Sequence, residues 1–149
     1  MVVPTLVVRP GEGRSVWLGG MGVVFKVSGA DTGGAFAVVE HPIEAGRLVL
    51  PHVHLREDEY SYVLEGTIGA RVGDHEVVAG LDQITARPRP GPDPGGDRPG
   101  GGFENYFAEL AAVGDPDRRQ ELAAKYGVTY SSDWVAGLVS RYNLKLLGQ

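Results

Sequence analysis

The sequence predicts a mainly β fold of the sandwich, jelly-roll or barrel type, followed by C-terminal α-helices. Three observations support this prediction. The chain has 23 glycines and 10 prolines among 149 residues, a composition that favours short strands and turns over long helices. About six β-branched and aromatic runs follow one another with turn signals between them, as in sandwiches and barrels. After Gly102 the apolar residues recur at helical spacing instead.

The predicted strands form a meander in which turn residues bound each run. The cluster ADTGG separates the first two runs, and Glu44-Ala45-Gly46 precedes the third. Gly73 and Asp74 are predicted to form a hairpin turn between the last two runs. In chain order, the runs are GVVFKVSG, AFAVVEHPI, LVLPHVHL, EYSYVLEG, TIGARV and HEVVAG.

Three helices are predicted, and the central one has the clearest start and stop signals. The central segment, DPDRRQELAAKYG, has Asp115 as N-cap and Pro116 at its first helical position, and it ends at Gly127. The segment SSDWVAGLVSRYNL offers Ser132 as a cap for the last helix. Apolar stripes of this kind usually face a core, so we expect them to pack on the sheets or on another subunit. The stripes are Phe103, Tyr106, Phe107 and Leu110 in FENYFAELAAV, and Trp134, Leu138, Val139 and Tyr142 in the last helix.

The composition excludes several functional classes. No cysteine is present, so disulfides and thiolate metal ligands are ruled out, in agreement with a reducing compartment. The N-terminal residues lack a basic region, and Pro4 and Arg9 interrupt their apolar runs, which predicts neither a signal peptide nor a membrane span. The net charge is −5 and basic residues do not cluster. We therefore expect a soluble cytoplasmic domain that binds neither nucleic acid nor membranes.

The segment RPRPGPDPGGDRPGGG, residues 87–102, contains only Arg, Pro, Gly and Asp. It has no apolar side chain larger than proline to bury. Such a segment does not offset the entropy cost of its ordering by packing, so we predict a loop or a disordered stretch.

The strongest indication of chemistry is the stretch PHVHLREDEYSYVLEG. His52 and His54 are two residues apart, so on a strand they share one face and Val53 takes the other. Their Cα atoms would then lie about 6.6 Å apart, which lets both rings reach one metal ion. If Glu59 at the start of the next strand also faces inward, the result is two histidines and one carboxylate. That set suits Fe(II), Mn, Ni or Zn with open coordination positions.

Each of these residues also has a plainer interpretation. An HxH pair on a strand is more often surface polarity than a ligand pair, and an acidic run such as Glu57-Asp58-Glu59 is usually a solvated turn. His41 precedes Pro42 at a strand end, and His75 lies beside a hairpin turn. Neither of these last two histidines is predicted to have a functional role.

The spacing of glycines and ligands resembles the first motif of the cupin superfamily. Gly46, His52, His54, Glu59 and Gly66 follow one another with five, one, four and six residues between them. From about residue 11 to residue 80 the chain resembles small single-domain cupins of the quercetin-dioxygenase-like bacterial branch, including GEGRSVWLGG and FKVSGADTGGAF. The resemblance implies a jelly-roll barrel, the double-stranded β-helix. It also implies a divalent metal ion held by His52, His54, Glu59 and one later histidine.

The second cupin motif is not found. That motif carries the later histidine, and the sequence has no histidine after His75. A forced alignment places Asp93 at the histidine position, but Pro92 and Pro94 flank it and disfavour a paired strand. We therefore predict that residues 81–102 do not form the inward-facing, ligand-bearing strand of the family, which would leave the barrel incomplete on one wall.

These observations together predict a barrel over residues 1–102, with a low-complexity loop at 87–102, and a helical extension over residues 103–149 packed on it. The leading functional hypothesis is a metal-binding cupin that acts on a small organic molecule, with dioxygenase-like chemistry. Two rivals stay open: a non-catalytic binding or sensing cupin, and a metal-free structural homodimer with a decayed site. In all three cases we expect a homodimer.

Overall fold

The computed structural model describes residues 7–91 and 102–149. These residues form eleven strands, three α-helices and a 3-10 turn at Gly29–Thr32. The strands are β1 Arg14–Trp17, β2 Gly22–Val27, β3 Val38–Glu40, β4 Arg47–Leu48, β5 His52–His54, β6 Glu59–Tyr62, β7 Thr67–Val72, β8 His75–Gly80, β9 Ile84–Arg87, β10 Val128–Tyr130 and β11 Lys145–Leu146. The helices are α1 Glu104–Ala112, α2 Pro116–Tyr126 and α3 Val135–Tyr142.

The strands pair into five small sheets. One is a three-stranded antiparallel sheet in the order β1-β2-β3. Three are antiparallel pairs, β5 with β10, β6 with β9 and β7 with β8, while β4 and β11 pair in parallel. The mainly β prediction with C-terminal helices is confirmed, but the sheets of the described ranges do not join into a closed barrel.

The predicted hairpin turn is confirmed. Val72 pairs with His75, so β7 and β8 are joined by a two-residue loop. Gly73 has a φ of 60°, a left-handed conformation that glycine adopts without steric cost. The tight turn fixes the register of the two strands.

The capping signals of α2 are also confirmed. The Asp115 side chain accepts a hydrogen bond from the Asp117 amide, and Pro116 is the first helical residue. Gly127 ends the helix in a left-handed conformation, with a φ of 68°. The predicted cap of α3 is wrong: that helix starts after Trp134 without a side-chain cap, and Ser132 contributes only its carbonyl, to the amide of Val135.

The C-terminal segment supplies strands as well as helices. Val128 pairs with His54 and Tyr130 with His52, so β10 lies beside the histidine strand. β11 pairs with β4 near Arg47. The helical patterns did not predict these two strands, which are too short to give a periodic signal of their own.

Residues 81–102 were predicted not to form the inward-facing, ligand-bearing strand; a strand does form in the first part of this segment, but it carries none of the candidate metal ligands. Ile84–Arg87 forms β9, which pairs antiparallel with β6 over four residues. Thr85 on this strand is buried. The prolines that disfavour a strand begin only at Pro88, so they do not disturb the ladder before it. Asp93 lies outside the described residues.

The buried core draws residues from the N-terminal sheet, from the middle strands and from the C-terminal segment. Val23 on β2 is fully buried, and Tyr106 on α1 is nearly so. The buried Glu104 carboxylate accepts backbone hydrogen bonds from Gly29 and Gly102, both at 2.7 Å. These bonds tie α1 to the turn that follows β2, and α1 also contacts β1.

None of the helices in the described part of the chain is long and apolar enough to cross a lipid bilayer.

Candidate metal centre

Two neighbouring strands bring together the three side chains that the HxH spacing singled out. His52 and His54 lie on one face of β5, whereas Val53 points the other way and is 46% exposed. Glu59 is the first residue of β6. One candidate ligand atom from each of the three residues lies within 4.8 Å of the others. The predicted convergence of these side chains is therefore present.

His52 already has the tautomer that a metal ligand requires. Its Nδ1 lies 2.7 Å from the carbonyl oxygen of Leu50, and because a carbonyl only accepts, Nδ1 carries the proton. Nε2 is then left with a free lone pair. Burial lowers the pKa of His52, which keeps the ring neutral near pH 7. A neutral imidazole with its other nitrogen bonded to a carbonyl is the usual form of a metal-binding histidine.

His54 is the most enclosed of the three side chains, with 9% of its surface exposed. Its Nε2 lies 3.1 Å from Oε2 of Glu59. Its Nδ1 is buried and has no hydrogen-bond partner. The ring also meets the edge of Phe103, with ring centroids 4.4 Å apart. The site therefore contains a buried ring nitrogen whose hydrogen-bonding capacity is unused.

Glu59 is held as a carboxylate by its neighbours. Burial alone would raise its pKa, but the hydrogen bond from His54 and the positive charge of Arg87 outweigh it and lower the pKa to about 2. Oε1 accepts a hydrogen bond from Nη2 of Arg87 at 2.5 Å, while Oε2 faces His54. Both oxygens of the carboxylate are thus engaged.

Arg87 is a site residue that the sequence did not indicate. It stands directly opposite Glu59 in the β6–β9 register, so the two side chains share a face. Its guanidinium also donates to the hydroxyl of Ser61, and its buried Nε has no partner. In the sequence, Arg87 is the first residue of a low-complexity stretch, and nothing distinguishes it there from Arg89. Only the strand register reveals its role.

His41 is the second residue that was missed. The sequence suggested an ordinary strand end, but the ring is half-buried against Phe107, with centroids 5.1 Å apart. Its Nδ1 donates to the carbonyl of Gly22 at 3.0 Å. Burial lowers the pKa of His41, and the charges of Glu59 and Arg87 act on it more weakly. His41 therefore faces the same interior, whereas His75 is exposed, as expected.

Aromatic residues of the C-terminal segment form one side of the site. The Tyr130 ring lies 5.7 Å from that of His52, and its hydroxyl lies 2.6 Å from the Tyr106 hydroxyl. Burial and this hydrogen bond raise the pKa of Tyr106, which stays protonated. Phe103 stacks on Tyr106 at 5.3 Å between centroids. We call Phe103, Tyr106, Phe107 and Tyr130 the aromatic wall.

The acidic run between the two ligand strands is not a simple solvated turn. The Glu57 side chain is 14% exposed, and its Oε2 is buried without a partner. Burial raises the pKa of Glu57. Asp58 accepts a hydrogen bond from the Arg89 amide at 3.1 Å. The interpretation of this run as a solvated turn is therefore wrong for Glu57.

The donor set fits a divalent ion. Two imidazole nitrogens and one carboxylate oxygen suit Fe(II), Mn, Ni or Zn. The free Nε2 of His52 and the Nε2 of His54, which faces Glu59, are the nitrogens that such an ion would use. Within the described ranges, no fourth histidine, aspartate or glutamate joins this group.

No protein-family model matches the chain, and no curated protein matches it. The described residues define a mainly β protein whose two-histidine, one-carboxylate cluster could hold a metal ion.

Proposed function

We propose that this chain is a metal-dependent cupin that acts on a small organic molecule by dioxygenase-like chemistry. The observation that carries the proposal is the convergence of His52, His54 and Glu59 within 4.8 Å. The two motif glycines add support, because Gly46 has a φ of 74° and Gly66 a φ of 72°, both in the region that favours glycine. The spacing of the five motif positions is therefore accompanied by a glycine-favouring backbone at Gly46 and Gly66 and by converging side chains at the three candidate ligands.

In this proposal the five sheets are parts of a jelly-roll barrel, and β9 supplies part of the wall that the second motif would normally form. β9 places Arg87, rather than a histidine, beside the cluster. The coordination sphere would then hold three protein ligands and keep open positions for water or substrate.

His52, His54 and Glu59 would hold the ion, which when bound supplies a Lewis acid or a platform for O₂. The chain's own residues supply the surroundings. Phe103 and Tyr130 of the aromatic wall contact His54 and His52, so in this proposal they form the apolar side of a substrate pocket. Glu59 is the carboxylate nearest the ligand nitrogens, so it is the group placed to accept a substrate proton if it leaves the ion.

The first experiment measures metal binding by the purified chain with Fe(II), Mn, Ni and Zn at pH 7.5, using calorimetry and metal analysis. The expected result is one ion per chain, with binding lost in H52A and H54A. H75A is the matched control, because His75 is an exposed histidine outside the cluster. Binding should weaken as the pH falls, since protons compete for the imidazole nitrogens, and at His52 this begins below the ordinary value of about 6.5 because burial lowers its pKa.

An unaltered affinity in H52A and H54A, or no binding by the wild type, would overturn the proposal. Oxygen uptake with a panel of flavonols then tests the chemistry. A chain that binds both metal and flavonol but consumes no oxygen would be a non-catalytic binding or sensing cupin.

The second candidate function is a metal-free structural homodimer with a decayed site. The Glu59–Arg87 ion pair favours it, because Arg87 already neutralises the carboxylate that a metal ion would need. This candidate predicts no metal in the purified protein and a melting temperature that neither chelator nor added metal changes.

A further inference from the structure

We infer that Glu57 is a positioning residue that holds His54 in its metal-binding tautomer. The inference rests on the proposed function and deepens it, because it assigns a role at the same site to a residue outside the ligand set. Oε2 of Glu57 lies 3.8 Å from Nδ1 of His54. Both atoms are buried, and neither has a hydrogen-bond partner.

Nδ1 of His54 and Oε2 of Glu57 lie near each other, but they form no hydrogen bond. A buried polar atom without a partner loses its hydration and gains nothing in return. Here the unpartnered nitrogen belongs to a side chain that is 9% exposed, and the unpartnered oxygen to one that is 14% exposed. The gap exceeds hydrogen-bonding distance by roughly 1 Å, which a small rotation of either side chain closes.

The present hydrogen bonds explain why the gap is open. Nε2 of His54 faces Oε2 of Glu59 at 3.1 Å, and because Glu59 is ionised, Nε2 carries the ring proton. In the neutral ring Nδ1 then has a lone pair rather than a proton. Two lone pairs, on Nδ1 and on the Glu57 oxygen, do not attract each other.

A metal ion at Nε2 would reverse this arrangement. The ion requires the Nε2 lone pair, so the single proton of the neutral ring moves to Nδ1. Nδ1–H then needs an acceptor in a position closed to water, and the Glu57 carboxylate is the buried acceptor beside it. A carboxylate that accepts from the second nitrogen of a metal-bound histidine fixes the ring and strengthens its ligation.

The loop that carries Glu57 is anchored at both ends. The Leu55 amide donates to the carbonyl of Gly127 at 2.9 Å, and Arg56 donates to the carbonyl of Lys125 at 3.1 Å. On the other side, Asp58 accepts from the Arg89 amide. Glu57 is therefore held beside His54 rather than swinging freely into solvent.

The test compares E57Q with the wild type and with E65Q. The Gln side chain keeps the shape of Glu but loses its charge, and Glu65 is an exposed carboxylate outside the site. E57Q is expected to bind Zn²⁺ about 10- to 100-fold more weakly than the wild type, as is typical when such an outer carboxylate is removed. E65Q should bind with wild-type affinity. Calorimetry at pH 7.5 gives both values.

Nitrogen-15 NMR of the zinc-loaded protein supplies a readout that a purely structural role would not move. In the wild type the Nδ1–H proton of His54 should resonate far downfield, as in a hydrogen bond to a carboxylate, and it should shift upfield in E57Q. The Nδ1–H of His52 bonds to Leu50 and should stay unchanged in both proteins, which makes it an internal reference.

Equal zinc affinities for E57Q, E65Q and the wild type would overturn the inference while leaving the proposed function intact. A zinc-loaded wild type with the proton of His54 on Nε2 would also overturn it, and this measurement does not depend on the folding of any variant. If the wild type binds no metal at all, the proposed function fails and the inference fails with it.

Discussion

Arg87 and the three candidate ligands form one charge-coupled group. Glu59 contacts Arg87 through one oxygen and His54 through the other, so neither oxygen is free for an ion in the present arrangement. An incoming divalent cation would displace the Arg87 hydrogen bond and would be repelled by the guanidinium charge. Metal affinity should therefore depend on the side chain at position 87.

The variant R87Q should bind Zn²⁺ more tightly than the wild type, by about fivefold, which corresponds to about 1 kcal/mol for a partly exposed ion pair. The reason is that Gln leaves Oε1 of Glu59 available and removes a nearby positive charge. Calorimetry at pH 7.5 measures the change. R118Q is the control, since Arg118 is an exposed arginine on α2, and it should bind as the wild type does.

An unchanged or lower affinity in R87Q would contradict this account and would show that Arg87 supports the cluster rather than competing with an ion. A tighter-binding R87Q would show that Arg87 competes with the ion for the Glu59 carboxylate.

Sequence reasoning located the three ligand candidates but not their neighbours. His52 and His54 follow from the two-residue period of a strand, and Glu59 follows from the motif spacing. The directions of His41 and Arg87 depend on strands that pair across the fold, namely β2 with β3 and β6 with β9. Local sequence does not contain this register, so these residues could be found only in the structure.

At the scale of elements, features set by the local sequence were predicted correctly, whereas strands that depend on long-range pairing were not. The ends of α2 follow from Asp115, Pro116 and Gly127, whose effects are confined to one turn of the chain. The strand β9 was not predicted, because the prolines that follow it dominate the composition of residues 81–102. β10 was missed because three residues carry no periodic pattern, and its strand conformation depends on its pairing with β5.

Two caps were predicted from sequence, and only one forms, which allows a matched test. D115A should lower the free energy of unfolding by about 1 kcal/mol, because the Asp117 amide loses its acceptor at the start of α2. S132A should change it by less than about 0.5 kcal/mol, since α3 has no side-chain cap. Urea denaturation of both variants measures these changes. Equal losses in the two proteins would contradict the assignment of helix starts.

At the scale of the whole molecule, the outer side of the β6–β9 pair is unusually apolar. Tyr60, Tyr62 and Ile84 are 55–65% exposed, and Leu64 just beyond β6 is 63% exposed. Tyr62 and Ile84 stand opposite each other in the register, so they form one continuous face. A face of this kind is a common site of association between copies of a chain.

We expect the protein to be a homodimer through this face. Light scattering at micromolar concentration should give twice the chain mass of 15.8 kDa. The double variant Y60D/I84D should shift the mass to that of a monomer, because it places two buried charges in the interface. F36D, at an exposed apolar residue outside β6 and β9, should remain dimeric.

A monomeric wild type would refute the expected homodimer. A wild type and Y60D/I84D that are both dimeric would show that the copies associate through another surface.

The pairing of β5 with β10 also determines when the histidine cluster can form during synthesis. Within the described ranges, β10 is the sheet neighbour of the strand that carries His52 and His54. Its residues leave the ribosome roughly 75 positions later, and contacts so distant in sequence form slowly. Until then the edge of β5 is unpaired and open to other chains. If the cluster binds a metal ion as proposed, loading would have to wait until the C-terminal strand has docked, so that the completion of folding would set its earliest moment.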